Sequence, residues 1–263
     1  MTYAELNGYF IKMIGFMLIL MRISGAFFLA PVFGSDNVLN QIKIWIAVFI
    51  SLVILPTISM QSISRDITFT VFLIYSIKEI TVGAILGFLT NMPFVATRVG
   101  AEIAGRMSGF GMGRVINPDV DENVSLLSQY VYITVVLFFL YMDGHHIVLN
   151  VLAKSFELIP LGKNVFPAKA TALTFDLYSY VFNIGVAYGA PTLGILLIIS
   201  LTMGILGKTV PQLNVMIFVL PIRVAAGLLG IMLTFPFLYV ILKKITVFTE
   251  KCSAAIVLYM SGG

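Results

Sequence analysis

Apolar residues in this chain come in long continuous runs, at about residues 9–33, 42–60, 67–97, 124–142, 145–160, 177–206 and 213–242. Several of these runs reach the roughly 20 residues that carry a helix across a hydrocarbon core of about 30 Å. The pattern predicts an all-α chain of many helices. Between the last two runs, the stretch from Gly207 to Asn214 supplies a helix stop, a proline and polar turn residues. That is the grammar of a tight helical hairpin, with Pro211, Gln212 and Asn214 at its tip. A shorter break at Asp143-Gly144 separates two more helices, the second opening on His145-His146 and closing at Pro160. Prolines at 31, 56, 93, 191, 221 and 236 fall in or beside apolar runs. There the missing N–H and the ring clash predict bent or broken helices.

Composition turns this pattern into a class. Hydrophobic residues make up 59% of the 263 and charged residues 11%, with a mean hydropathy of +1.03, far from the roughly 25% charged residues of soluble domains. The chain reads as an integral membrane protein, with no polar stretch long enough for a separate soluble domain. Its start lacks a basic region and carries Glu5 before the first apolar run, so the first helix is expected to be retained rather than cleaved as a signal peptide. Cys252 is the single cysteine, which excludes an intrachain disulfide and a multi-cysteine metal cluster.

One segment departs from its surroundings. From Ala96 to Pro118 the chain turns small, charged and glycine-rich. Gly105, Gly109, Gly111 and Gly113 let it bend and take positive φ where its neighbours cannot. Phe110 and Met112 ride on that backbone, and a mobile loop presenting a large apolar ring and an adaptable thioether suits a pore stopper. The same glycines also fit a plain connection between two helices. Just before them, Arg98, Glu102 and Arg106 recur every fourth residue and form a plus, minus, plus ladder on one helical face. The roughly opposite face carries Ala96, Gly100, Ala104 and Ser108, a small-residue stripe that admits a second backbone closely. Gly83 with Gly87, and Gly185 with Gly189, repeat that device.

Lys12, Arg22, Lys78, Glu79, Arg98, Glu102 and Arg223 lie in or beside apolar runs, where an unpaired charge in lipid would cost several kcal/mol, of order 2–3 or more. They require protein partners or water. Basic residues show no clear alternation between connections, so a topology read from hydropathy and charge is unreliable here.

Enzymatic signatures are absent at the level of motif. His145 and His146 are adjacent, so on a helix they point about 100° apart and do not make the paired face of a His-Glu-x-x-His metal site. Asp143 sits where an acid favours a helix N-terminus. The Gly109–Arg114 segment lacks the Lys-Ser/Thr of a phosphate loop, and Gly207-Lys208-Thr209 lacks the preceding glycine spacing. Asp143 and Asp176 have no flanking signature of an intramembrane protease. No catalytic residue, cofactor, metal or nucleic acid is expected.

The order of segments, from Arg22–Gly34 through Lys78–Phe88, Ala96–Asp119 and Asp143–Gly162 to Gly207–Gly227, resembles the FliR family of flagellar export-gate proteins, related to the SctT proteins of type III secretion injectisomes. The resemblance runs through essentially the whole chain. It implies a non-enzymatic subunit of the flagellar type III export gate, working with several copies each of FliP and FliQ, and with FlhB and FlhA. It places the protein at the bacterial inner membrane, in the flagellar basal body, passing unfolded flagellar proteins. It further implies a FliP-like part over residues 1–176 and a FliQ-like helical hairpin and tail over 177–263. The family's channel plug corresponds to a loop at about 106–118, with Met107, Gly109, Phe110, Gly111, Met112, Gly113, Arg114, Val115 and Ile116, followed by Asn117-Pro118. Arg98, Glu102 and Arg106 would fix the helix below that loop or contact neighbouring subunits. The alternative from another class is a stand-alone secondary transporter of a small molecule or ion, which also uses broken helices and intramembrane charges. It would call for an internal repeat, and no matching halves are visible.

Overall fold

The apolar runs become α-helices, and several of these helices outlast the runs that predicted them. The computed structural model describes residues 3–31, 34, 38–58, 67–109, 125–162, 168–209 and 215–260. Within them the elements are α1 (Tyr3–Leu29), α2 (Asn40–Ile54), a 3₁₀ turn (Leu55–Thr57), α3 (Phe69–Met107), α4 (Leu126–Tyr141), α5 (Gly144–Leu158), α6 (Ala168–Thr209) and α7 (Val215–Met260). The described residues contain no strand. Five helices are long and apolar enough to cross a membrane, or six if α4 and α5 form one broken span.

Helices α3, α6 and α7 have 39, 42 and 46 residues, so at 1.5 Å per residue each is roughly 60 Å long or more, about twice a hydrocarbon core. Polar residues end an apolar run without ending a helix. Past Thr97, α3 continues through Arg98, Glu102 and Arg106, which are good helix formers at mutually favourable spacing. Likewise α7 continues through Lys243, Lys244, Glu250 and Lys251.

The prolines take two kinds of station. Pro93, Pro191, Pro221 and Pro236 all lie inside helices, whereas Pro31 stands in the turn after α1 and Pro56 in the 3₁₀ segment after α2. In long apolar helices, neighbouring groups can re-satisfy the carbonyl a proline frees. The carbonyl that Pro93 deprives of its helical donor is that of Leu89; one turn further on, Thr97 Oγ1 donates back to the Pro93 and Phe94 carbonyls at 3.0 and 3.1 Å.

Two compact units emerge from the packing. The first comprises residues 1–92, 143–178 and 246–263, the second residues 93–142 and 179–245. The residue 176/177 boundary suggested by the resemblance falls inside α6, which runs unbroken across it.

The first unit buries Leu18, Ile19, Ile23 and Ala26 of α1 against Val82, Leu86 and Leu89 of α3, with Leu152 and Phe156 of α5. Here α1 and α3 touch backbone to backbone. A Cβ on Gly83 would collide with the Arg22 carbonyl, one on Gly87 with the Ala26 carbonyl, and one on Gly25 with the Ile80 carbonyl.

The second unit has its own close approach, between α3 and α6. A Cβ on Gly100 would meet the Gly185 carbonyl, one on Gly185 the Ala96 carbonyl, and Gly189 faces Gly100 in return. Ala96 and Ala104 are fully buried beside them. Phe94 packs edge-on against Phe139 of α4 with ring centroids 4.9 Å apart.

Candidate functional site

The C-terminal end of α3 is where the ladder, the small-residue stripe and the exit of the glycine-rich loop meet. Residues 110–124 lie outside the described residues, and with them Phe110, Gly111, Met112, Gly113, Arg114, Val115, Ile116, Asn117 and Pro118 of the expected plug. Both stems of that segment are described. Met107 is the last residue of α3 and Gly105 lies within the helix, so the loop begins later than the glycine pattern suggested. Gly105 serves close packing instead: a side chain there would strike Ser125. Gly109 is the first residue to leave, at φ +88° with Leu220 of α7 against it. A left-handed backbone at that station is available to glycine and strained for other residues.

On the return side, Ser125 starts α4 and caps it, its Oγ accepting from the Ser128 N–H at 3.1 Å. The Ser125 N–H donates to Glu102 Oε2 at 3.0 Å, while Glu102 Oε1 accepts from Arg106 Nε at 2.8 Å. Glu102 therefore does two jobs. One oxygen pairs along α3, and the other ties the loop's return to the same turn of helix from which it departed. Ser108, fully buried, donates to the Ala104 carbonyl at 2.7 Å and stands where a side chain on Gly227 of α7 would go. The result is a fixed base beneath both ends of the loop.

Arg98 does not join the ladder. Its guanidinium lies 5.5 Å from the ring centroid of Tyr132 on α4, a cation–π arrangement, and the Arg98 carbonyl accepts from Ser128 Oγ at 3.5 Å. Gln212, Pro211 and Asn214, at the expected hairpin tip, lie outside the described residues. Asp143, at φ +55° just ahead of α5, comes together with His145 and His146 so that one ligand atom from each lies within 4.8 Å of the others. Local backbone geometry thus clusters residues whose adjacency in sequence argued against a shared face. Asp143 and His146 are both exposed.

Sequence reasoning missed the most elaborate polar network in the first unit. Arg22 and Glu79 are both fully buried and ion-paired through Arg22 Nε and Glu79 Oε2. Arg22 Nη1 donates to the Ser155 carbonyl at 2.9 Å, Nη2 to the Ile159 carbonyl at 3.1 Å, and the guanidinium lies over Phe156 at 4.4 Å. Glu79 Oε1 accepts from the Gly162 N–H at 2.9 Å. Gly162 is held at φ +77° beneath the Tyr75 ring. The pair joins α1 and α3 to the end of α5 and the turn after it. Its trace in sequence was one cation and one anion in separate apolar runs, each next to a small-residue stripe, with nothing to say that they meet.

Comparison with known proteins bears on what this arrangement serves. The family described as bacterial export proteins, family 1, matches residues 13–247. The flagellar biosynthetic protein FliR of Bacillus subtilis is 27% identical over 234 residues, covering 88% of this chain and 89% of that protein. FliR of Escherichia coli is 24% identical over 209 residues, 80% of this chain and 79% of that protein. The secretion system apparatus protein SsaT of Salmonella typhimurium is 22% identical over 160 residues, 60% of this chain and 62% of that protein. With its long apolar helices and a family match spanning nearly its whole length, the chain belongs to the bacterial export proteins, family 1.

Proposed function

We propose that this chain is a non-enzymatic subunit of a flagellar type III export gate in the bacterial inner membrane. The family match over residues 13–247 carries the reading, and the flagellar relatives favour that branch over the injectisome. The chain assembles with several copies of FliP and FliQ, meets FlhB and FlhA, and passes unfolded flagellar proteins. The extensive apolar surface suits burial by partner subunits or lipid: only 17% of the most apolar window of α6 is buried within the chain.

In this reading the loop after Gly109 closes the resting channel, with Phe110 and Met112 as adaptable apolar filling among methionines contributed by FliP. The tie of both stems to α3 through Glu102, Ser125 and Ser108 would hold the two ends of such a plug in place. Substrate entry displaces the loop, and the glycines keep that displacement low in cost.

Co-expression with FliP and FliQ, purification through a tag on this chain and native mass spectrometry test the assembly. One copy of this chain among several of each partner is expected. Recovery of a well-behaved monomer or homo-oligomer free of both would overturn the reading. Replacing residues 109–113 with a shorter rigid linker should raise ion leak in cells that express the gate, and unchanged conductance would remove the plug.

A further inference from the structure

The start of α5 gathers three side chains that can ligate a metal. Asp143, His145 and His146 each bring one ligand atom to within 4.8 Å of the other two, and the two imidazole rings lie 4.2 Å apart, centroid to centroid. The backbone places Asp143 there: alone among the described non-glycine residues it takes a positive φ, at +55°. An aspartate just ahead of a helix usually accepts from the amides of the first turn. Asp143 makes no such cap bond. Its carboxylate stands by His146 instead, with Oδ1 3.5 Å from Nδ1. That separation is long for an N–H···O bond, which centres near about 2.9–3.0 Å. Two ligands each about 2.0–2.1 Å from a tetrahedral zinc ion stand about 3.3–3.4 Å apart, which is close to the spacing seen here.

His145 supplies a separate sign. Its Nδ1 is shielded from water and has no hydrogen-bond partner among the described residues. Buried polar atoms are as a rule paired, so the fold leaves the polarity of this ring unused. Two imidazoles and a carboxylate make a donor set suited to Zn²⁺ and its neighbours among the transition metals, whereas Mg²⁺ and Ca²⁺ take oxygen ligands. The amide end of α5 opposes a cation, and the Asp143 carboxylate offsets it.

We propose that this chain binds a zinc-class divalent ion through Asp143 Oδ1, His146 Nδ1 and a ring nitrogen of His145, with water in the fourth position. Three protein ligands and a solvent position make an open tetrahedral site. Asp143 and His146 are exposed, which gives the ion access from solution. The bound ion holds Asp143 in its left-handed conformation and so stiffens the turn from α4 into α5, where only Met142 and Asp143 separate the two helices. The site goes beyond the gate reading and does not depend on it.

Titration of the full chain with Co²⁺ tests it, the protein being purified in detergent through a tag that contains no histidine. His145 and His146 are the only histidines of the chain and Cys252 its only thiol, so a Cys252→Ser background leaves no competing imidazole or thiolate. The expected result is a single equivalent of Co²⁺ with the visible absorption of a tetrahedral site, displaced by Zn²⁺ and weakening as the pH falls and the imidazoles protonate. Asp143→Asn, His145→Ala and His146→Ala should each lower the affinity by at least the roughly 10–100-fold that loss of a mere supporting group costs a metal site. If His145→Ala lowers the amount of folded chain, the exposed pair Asp143→Asn and His146→Ala decides. As a second measurement, Zn²⁺ should slow hydrogen exchange at the first amides of α5 in the parent chain and leave His146→Ala unchanged. Absence of tetrahedral absorption, an affinity indifferent to these substitutions, or exchange unaltered by Zn²⁺ would each overturn the site.

Discussion

The two halves of α3 each place a glutamate beside an arginine and a glycine contact beside another helix, yet they treat the charge in opposite ways. In the first half, Glu79 is fully buried and paired with Arg22 from a different helix. Three backbone groups of the α5 end and the following turn, the carbonyls of Ser155 and Ile159 and the N–H of Gly162, complete the network. In the second half, Glu102 pairs with Arg106 of its own helix, and the Arg106 side chain is 63% exposed. A buried pair repays its desolvation only when further hydrogen bonds saturate it, and the first half supplies them. An exposed pair is screened and contributes little by itself. What matters at Glu102 is the other oxygen, which holds the start of α4. Charge in the first half therefore locks helices together, whereas charge in the second half positions a loop.

The sharpest way to break this contrast is to remove one member of the buried pair. Glu79→Gln leaves the Arg22 charge uncompensated and should cost about 3–5 kcal/mol, read as a large fall in the thermal midpoint of the purified protein in detergent. Arg22→Met combined with Glu79→Met should recover much of that loss. A cost no greater than that of an Arg106 variant would erase the distinction.

The glycine contacts come next. Gly83→Ala and Gly100→Ala force a methyl into facing backbone carbonyls and should each cost about 1–3 kcal/mol. Gly194 has open space around it, so Gly194→Ala should instead gain as much as about 1 kcal/mol of helix propensity. Melting curves of the three variants separate packing from propensity by sign.

Ser125→Ala removes the cap of α4 and should cost about 1 kcal/mol. Hydrogen exchange should show faster amides at Leu127 and Ser128, with α1 and α5 unaffected. The smallest effect is expected for Arg106→Gln, about 0.3–0.5 kcal/mol and further reduced by salt, measured by the same melts at two ionic strengths. A loss comparable to Glu79→Gln would show that the second half also relies on charge for stability.

Local order was legible along the chain because it depends on neighbours in sequence. The apolar runs, the Ala96, Gly100 and Ala104 stripe and the four-residue spacing of Glu102 and Arg106 all follow from helical periodicity. Hydropathy could not give the helix ends, since α3 and α7 run on through charged residues that continue the backbone hydrogen bonding perfectly well. Arg98 was misplaced for a related reason. Spacing allowed it to reach Glu102, but its guanidinium lies over the ring of Tyr132, brought by α4.

By itself the sequence determined that this is an apolar, all-helical chain of the bacterial export family, with a glycine-rich segment after α3 and a hairpin at its end. Those properties are sums over composition and short-range period. Only the tertiary structure decided that Arg22 meets Glu79 across 57 positions, that Gly162 closes the same network, and that Glu102 anchors the return of the chain at Ser125. It also left Arg223 Nε without a hydrogen-bond partner among the described residues. Pairings of that kind depend on which helices are brought side by side, and burial then makes each satisfied or missing partner count far more than it would in water.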